Sequence, residues 1–348
     1  MAKMLITGGG GFIGSHAAVY FAARGYAVTV LDNLSRGRLL KREDPNVLYN
    51  WEFLASQGNI EMVRGDVCDR DAVLPLVKDA DVILHAAAQT AVTTSVIDPE
   101  TDFLNNAVGT VTVLEAARRC GHRPTVVFCS TNKVYGENVN AVGVEEEQGR
   151  YRFPEAMRTG IPESFSIDRC EHTPYGCSKL TGDLYVQDYG HLYGLRTGVF
   201  RMSCIYGTRQ FGMEDQGWVA WFVIAALAGK PITIFGDGRQ VRDVLWVEDL
   251  LAAYEAYIEG DLDVAVFNMG GGPDQTLSLL ELLGMIQELT GVAPQISFDN
   301  WRPSDQKVYV SDIRRAQELL QWRPQVQPRE GVERLIAWTQ ENMERFRE

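Results

Sequence analysis

The sequence predicts an α/β fold built on a doubly wound parallel sheet, and three observations carry that prediction. An apolar strand, Lys3 to Thr7, runs into the glycine loop Gly8-Gly9-Gly10-Gly11-Phe12-Ile13-Gly14 and from there into a helix holding Ala17, Ala18 and Phe21. The next strand, Ala27 to Leu31, ends on an acid, Asp32. Strand and helix patterns then alternate through the first third of the chain, the order that produces parallel strands with right-handed crossover helices. Together they specify a Rossmann-type sheet over residues 1–200, followed by a smaller C-terminal α/β substrate lobe over 201–348 that is interleaved with it.

Each of these features has a chemical reading. Glycines at 8, 11 and 14 allow a tight turn, close approach of a pyrophosphate and close packing of helix on sheet, while the helix N-terminus attracts the phosphates. Asp32 stands where a carboxylate hydrogen-bonds an adenosine ribose and repels a 2′-phosphate, which predicts NAD rather than NADP. Three further strands end in small or polar residues: Ile60 to Val63 before Gly65-Asp66-Val67, Val82 to Leu84 before His85-Ala86-Ala87-Ala88, and Thr125 to Cys129 before Ser130-Thr131. Strand carboxyl ends are where doubly wound sheets bind ligands. Asp66 is placed to meet an adenine there, and the alanines leave room for a cofactor. Plain strand-end packing is the alternative reading of each.

Composition narrows the partners. The 348 residues are 45% hydrophobic and 23% charged, and Lys+Arg 33 against Asp+Glu 46 gives a net charge of −13. That balance excludes nucleic acid and an anionic membrane as expected partners, so an anionic ligand needs a local basic patch. Cysteines at 68, 120, 129, 170, 177 and 204 form no CxxC pair and no close coupling with histidines, the pattern of a reducing compartment without a disulfide framework or metal site. The N-terminus enters a strand at Met4-Leu5-Ile6 without a signal-peptide pattern, and no apolar run reaches the length of a membrane span. The expected location is the cytoplasm.

The stretch Thr173-Pro174-Tyr175-Gly176-Cys177-Ser178-Lys179 reads as a helix start, with Thr173 as N-cap and Pro174 at the first helical position. Tyr175 and Lys179 then project from one face, one turn apart. A neighbouring ammonium favours the phenolate and lowers a phenol's pKa from about 10, so such a tyrosine can take a proton from an alcohol. Alone, the pair is more commonly a half-buried aromatic beside a solvated lysine. The dinucleotide loop and Asp32 reverse that balance.

With Ser130-Thr131-Asn132-Lys133-Val134-Tyr135-Gly136 ahead of this pair and the stretch from Arg201 to Gln210 (RMSCIYGTRQ) after it, the chain resembles the extended short-chain dehydrogenases/reductases of the nucleotide-sugar epimerase and dehydratase group. The likeness covers essentially the whole chain. Within the group, Asp215 to Phe222 (DQGWVAWF), Gly238 to Leu245 (GRQVRDVL) and Ser304-Asp305-Gln306 resemble the epimerases that act at C2 of a CDP-linked deoxyhexose. The resemblance implies Tyr175 as general base, Lys179 on the nicotinamide ribose and Thr131 on the reacting hydroxyl. A hydride would pass from the sugar to tightly bound NAD and return to the other face of a transient ketose. Implied cofactor residues are Gly8, Gly11, Phe12, Ile13, Gly14, Asp32, Asn33, Asp66, Val67, Ala86, Ala87, Ala88 and Asn106, with Tyr175 and Lys179. Implied nucleotide-sugar residues are Asn132, Lys133, Ser203, Arg209, Gln216, Arg242, Arg302 and Asp305. A homodimer or homotetramer through helices near 103–120 and 175–193 is implied as well.

Two departures from the group sharpen the expectation. The related 4,6-dehydratases carry an Asp-Glu pair directly after this threonine; here Asn132 and Lys133 supply neither the acid nor the base of an elimination. Where the group commonly has an asparagine on the nucleotide diphosphate, this chain has Cys204, a feeble donor. Arg209, Arg239, Arg242 and Arg302 offer the local positive charge that a diphosphate needs. Trp218, Trp221 and Phe222 recur at helical spacing and read as core. Residues 137–172 show no clear period and are expected to form a lid over the sugar. The alternative functions are C4 epimerisation of a UDP-hexose with the same residues, 4,6-dehydration, and a non-catalytic NAD sensor.

Overall fold

The computed structural model describes residues 1–39, 45–302 and 305–347, so Ser304 lies outside the described residues. Seven strands form the central sheet: β1 (Lys3–Thr7), β2 (Ala27–Asp32), β3 (Ile60–Arg64), β4 (Val82–His85), β5 (Thr125–Thr131), β6 (Thr197–Met202) and β7 (Val264–Met269). Their spatial order is β7-β6-β5-β4-β1-β2-β3, and β1 through β5 pair in parallel. The order reverses between β1 and β4, the switch point at which such sheets open a crevice for ligands. The register brings Thr7 beside both Leu31 and His85, and His85 beside Phe128. The chain therefore leaves β1, β2, β4 and β5 at one edge, carrying the glycine loop, Asp32, the alanines and Thr131 together.

Strands covered on both faces need continuous apolar runs rather than alternation. β4 and β5 are buried at every position, and Leu5, Leu31, Ile83, Val126 and Phe128 join helix residues Val113, Leu114, Val186 and Tyr189 in one core. Gly182 lets the helix Thr173–Tyr193 settle on this sheet, because a Cβ there would stand 2.9 Å from the Phe128 ring.

The chain divides into two compact units that alternate along the sequence. The first comprises Met1–Val134, Thr173–Arg201 and Leu251–Phe267; the second comprises Tyr135–His172, Met202–Leu250 and the residues from Asn268 onward. In the second unit, Val241–Trp246 pairs with Thr276–Ser278, Val308–Tyr309 and Cys204–Tyr206, while Ile232–Phe235 pairs with Ile296–Asp299. The stretch 137–172, which shows no period in sequence, contains a hairpin, Glu145–Glu147 with Arg150–Arg152. It is pinned within its own unit: Tyr151 donates from its backbone to Arg239 and from its hydroxyl to Asp237, and Ile161 bridges Ser311. Arg152 pairs with Glu145 and Glu147, so the triple glutamate has a partner within the hairpin.

All six cysteines are free. Among the described residues no helix is long and apolar enough to cross a membrane.

Candidate active site

The glycine loop has the geometry of a dinucleotide cradle. Gly11 N–H donates to the Gly8 carbonyl at 3.0 Å, and a Cβ on Gly14 would lie 2.2 Å from that same oxygen. Gly8 has φ 72°, and a Cβ there would stand 2.6 Å from the Ala87 backbone nitrogen, so the loop and the β4 turn approach to a distance only glycine permits. The helix Phe12–Ala23 has no side-chain cap at Gly11, and Ser15 is the residue whose amide closes the first helical bond, to Gly11. The amides of Phe12, Ile13 and Gly14 thus belong to the first turn, which lacks intrahelical acceptors and suits phosphate oxygens.

Asp32 closes the other side. Its carboxylate accepts from the amides of Gly10 (2.9 Å) and Leu34 (2.7 Å), leaving lone pairs on both oxygens for ribose hydroxyls. Burial raises its pKa, the two amides oppose that, and the neighbouring Asp66 adds to it. Asp66 accepts from Cys68 N–H and from the Asn33 amide at 2.8 Å; despite burial these bonds hold its pKa below the usual value. Val67 is buried behind it, against Gly109. Ala86 and Ala87 are tied to Thr7, and Ala88 follows them in the same turn. The donors and the bare glycine backbone fit NAD.

Tyr175, Lys179 and Thr131 are brought together within the first unit. Thr173 caps the helix as expected, its hydroxyl accepting from Gly176 N–H at 3.4 Å, but with φ 61°, a strained conformation for a β-branched residue. Tyr175 and Lys179 are both buried. Lys179 Nζ donates to the Cys129 carbonyl at 2.7 Å and stands 4.4 Å from the Phe128 ring centroid. Burial pushes the Tyr175 phenol up to about 12; a hydrogen bond with Thr131 opposes this, while Asp102 and Cys129 add to it. Burial also draws Lys179 down to about 8. The expected lowering of Tyr175 by the ammonium is therefore overridden in the protein alone, because desolvation of the phenolate is the larger effect. Thr131 Oγ accepts from Lys133 N–H (3.2 Å) and points its own proton at Asn132 Oδ1 (3.3 Å) or the phenol.

A second group of residues surrounds these, and of it the sequence singles out Asn106 as an implied cofactor residue. Asn106 sits in a π-helical turn, Leu104–Val108, and its amide is bonded to Gln89, Asp102 and Ser178. Asp183, two helical turns beyond Tyr175, makes a bidentate pair with Arg201 (2.9 Å twice) and accepts from Ser130 at 2.6 Å. Gln89, Asp102 and Asp183 are not singled out by the sequence, while Ser178, adjacent to Lys179, gives a further hint in the primary structure.

In the second unit the arginines arrive already paired. Arg242 donates to Asp305 at 2.7 Å; Arg302 pairs with Asp215 at 2.9 Å and lies over the Phe235 ring at 3.8 Å. Arg209 is buried, with φ 56°. Ser203 donates its hydroxyl to the Asp243 carbonyl at 3.2 Å, and Gln216 exchanges backbone bonds with Met213. Cys204 accepts from the Trp218 indole at 3.2 Å, and Phe222 is buried on the same helix.

Comparison with known proteins agrees with this geometry. Residues 4–270 match the NAD dependent epimerase/dehydratase family. The chain is 38% identical to CDP-paratose 2-epimerase of Salmonella typhi, covering 97% of this chain and 99% of that protein. It is 33% identical to UDP-glucose 4-epimerase of Mycolicibacterium smegmatis over 97% and 98% of the two chains. UDP-glucuronic acid 4-epimerase from Bacillus cereus, solved in complex with UDP-glucuronic acid and NAD, superposes with a TM-score of 0.80 at 26% identity, over 98% of this chain and 99% of that one. With a cradle that fits the dinucleotide and relatives that span nearly its whole length, the chain belongs to the NAD dependent epimerase/dehydratase family.

Proposed function

We propose that the protein epimerises a nucleotide-diphospho-sugar, inverting C2 of a CDP-linked deoxyhexose of the CDP-paratose/CDP-tyvelose type. The observation that carries the reading is the buried Tyr175, hydrogen-bonded to Thr131 with Lys179 one turn behind it, at a strand end where Asn132 and Lys133 stand in place of an acid–base pair. The Salmonella relative points to the sugar and base.

The glycine loop and Asp32 would hold NAD, which would supply the hydride acceptor and donor for the sugar carbon. Once ionised, Tyr175 removes the hydroxyl proton, and its high pKa suits it to return that proton to the ketose oxygen. Thr131 holds that oxygen and stabilises the phenolate as its charge develops. Lys179 supplies positive charge beneath both. Asn132 and Lys133 offer hydrogen bonds to sugar hydroxyls but no carboxylate to expel water, which disfavours dehydration. In the second unit, Arg242 and Arg302 are held in fixed orientations by Asp305 and Asp215, ready to bind the nucleotide diphosphate with Arg209, Ser203 and Gln216.

Incubation with CDP-, UDP- and GDP-sugars, followed by NMR at each ring carbon, tests the reading. Inversion at C2 of a CDP-sugar is expected, without solvent deuterium at that carbon. Inversion at C4 of a UDP-hexose with C2 untouched would instead establish the second reading, which the mycobacterial relative favours.

We also propose a homodimer or homotetramer. Val96, Ile97, Phe103, Leu184, Leu192 and Tyr193 are exposed apolar side chains on the helices Val92–Ile97, Pro99–Phe103 and Thr173–Tyr193, more than single scattered residues need. Light scattering is expected to give a multiple of the 38.8 kDa chain mass, and Leu184→Glu to shift it toward the monomer.

A further inference from the structure

Lys179 carries a positive charge in a buried place, and its charged surroundings have separate accounts. From β5 it meets the Cys129 carbonyl and thiol; burial raises that thiol to about 11, so it stays neutral. From β4 it meets His85, which burial holds down to about 3, neutral as well. On its own helix are Tyr175, a neutral phenol, and Asp183, whose charge is committed to Arg201 of β6 through two bonds of 2.9 Å. From the helix Pro99–Phe103 comes Asp102, buried, whose hydrogen bonds come from neutral groups: Ser178 Oγ, Gln89 Nε2 at 2.8 Å and Asn106 Nδ2 at 3.2 Å.

The orientation of those amides is settled by the backbone. Gln89 Oε1 accepts from Ala91 N–H, so its Nε2 must face Asp102. Asn106 Oδ1 accepts from Gln89 N–H at 2.8 Å, so its Nδ2 faces Asp102 and Ser178. Asp102 Oδ1 is thereby confined to accepting, the role of a carboxylate.

We propose that Asp102 is a positioning residue of this site: the buried counter-charge that keeps Lys179 an ammonium and fixes Ser178 beside it. The inference rests on the reading of Lys179 given above and extends it to a residue outside the Tyr–Lys–Thr set. The shifts agree in direction. Burial lowers Lys179 while Cys129, Asp183 and Asp102 raise it, and burial raises Asp102 while its hydrogen bonds and Lys179 lower it.

The test is a thermal cycle on the NAD-loaded enzyme: wild type, Asp102→Asn, Lys179→Met and the double variant, each melted from pH 6.5 to 9.5. Below the Lys179 pKa the lysine is charged and needs its partner; above it the lysine is neutral and does not. The Tm deficit of Asp102→Asn is therefore expected to be largest at pH 6.5 and to shrink by about 3 °C or more by pH 9.5. In the Lys179→Met background the same substitution should be tolerated better at pH 6.5, with a deficit flat across pH. Asp102 raises Lys179, so its removal should also move the fall of the kcat–pH profile to lower pH while KM holds within about threefold. A deficit independent of pH and equal in both backgrounds overturns the proposal and leaves Asp102 a hydrogen-bonding strut. If Asp102→Asn does not fold, a folded double variant supports the counter-charge, and an unfolded one overturns it. The melts need no substrate, so they decide the matter separately from which sugar the enzyme inverts.

Discussion

Tyr175→Phe is expected to fold, to keep its NAD and to lose kcat by about a thousandfold, within the range that a positioned general acid–base contributes. The phenol sits buried on a hydrogen bond with Thr131, and phenylalanine preserves the ring while removing the one atom able to exchange a proton with the sugar hydroxyl. Wild-type kcat should fall as Lys179 loses its charge near 8, well below the range in which the phenol, pushed up to about 12, ionises. Bound NAD, read by absorbance after denaturation, controls for the cofactor. A variant with most of its turnover would show that another group removes the proton.

Asp183→Asn is expected to give the largest loss of stability. Asp183 and Arg201 are both buried and joined by a bidentate pair, with Ser130 and Gln187 donating to the same carboxylate. The amide leaves the Arg201 cation without its countercharge in a dry interior, which costs about 3–5 kcal/mol. A urea melt should show this as a lower midpoint at unchanged slope. Replacing both partners, as in Asp183→Leu with Arg201→Met, should recover most of the loss, since neither charge is then stranded. Equal losses in the single and double variants would place the energy in packing rather than in the ion pair.

Much of the fold and cofactor side was legible in the sequence because it depends on local rules. A glycine loop between a strand and a helix permits few structures, and Asp32 follows at the end of the next strand for the same topological reason. The helix cap at Thr173 was equally readable, although its left-handed backbone was not: that strain is imposed by what surrounds it. The paired state of Arg242 and Arg302 was hidden, because Asp305 and Asp215 lie far from them along the chain. The hairpin and anchors of 137–172 were hidden as well; a stretch without period reveals its structure only through its long-range partners, Arg239, Asp237 and Ser311.

By itself, then, the sequence determined the doubly wound sheet, the dinucleotide loop, the Tyr175–Lys179 pair and the lack of an eliminating acid at Asn132 and Lys133, each a matter of neighbouring residues and backbone geometry. Only the tertiary structure decided the electrostatics. Burial sets Tyr175 near 12 and Lys179 near 8, and the fold brings Asp102 from one helix and Arg201 from a strand to the helix that carries Tyr175, Lys179 and Asp183. A charge's energy depends on its distance from water and from other charges in space, and spacing along a chain does not encode either.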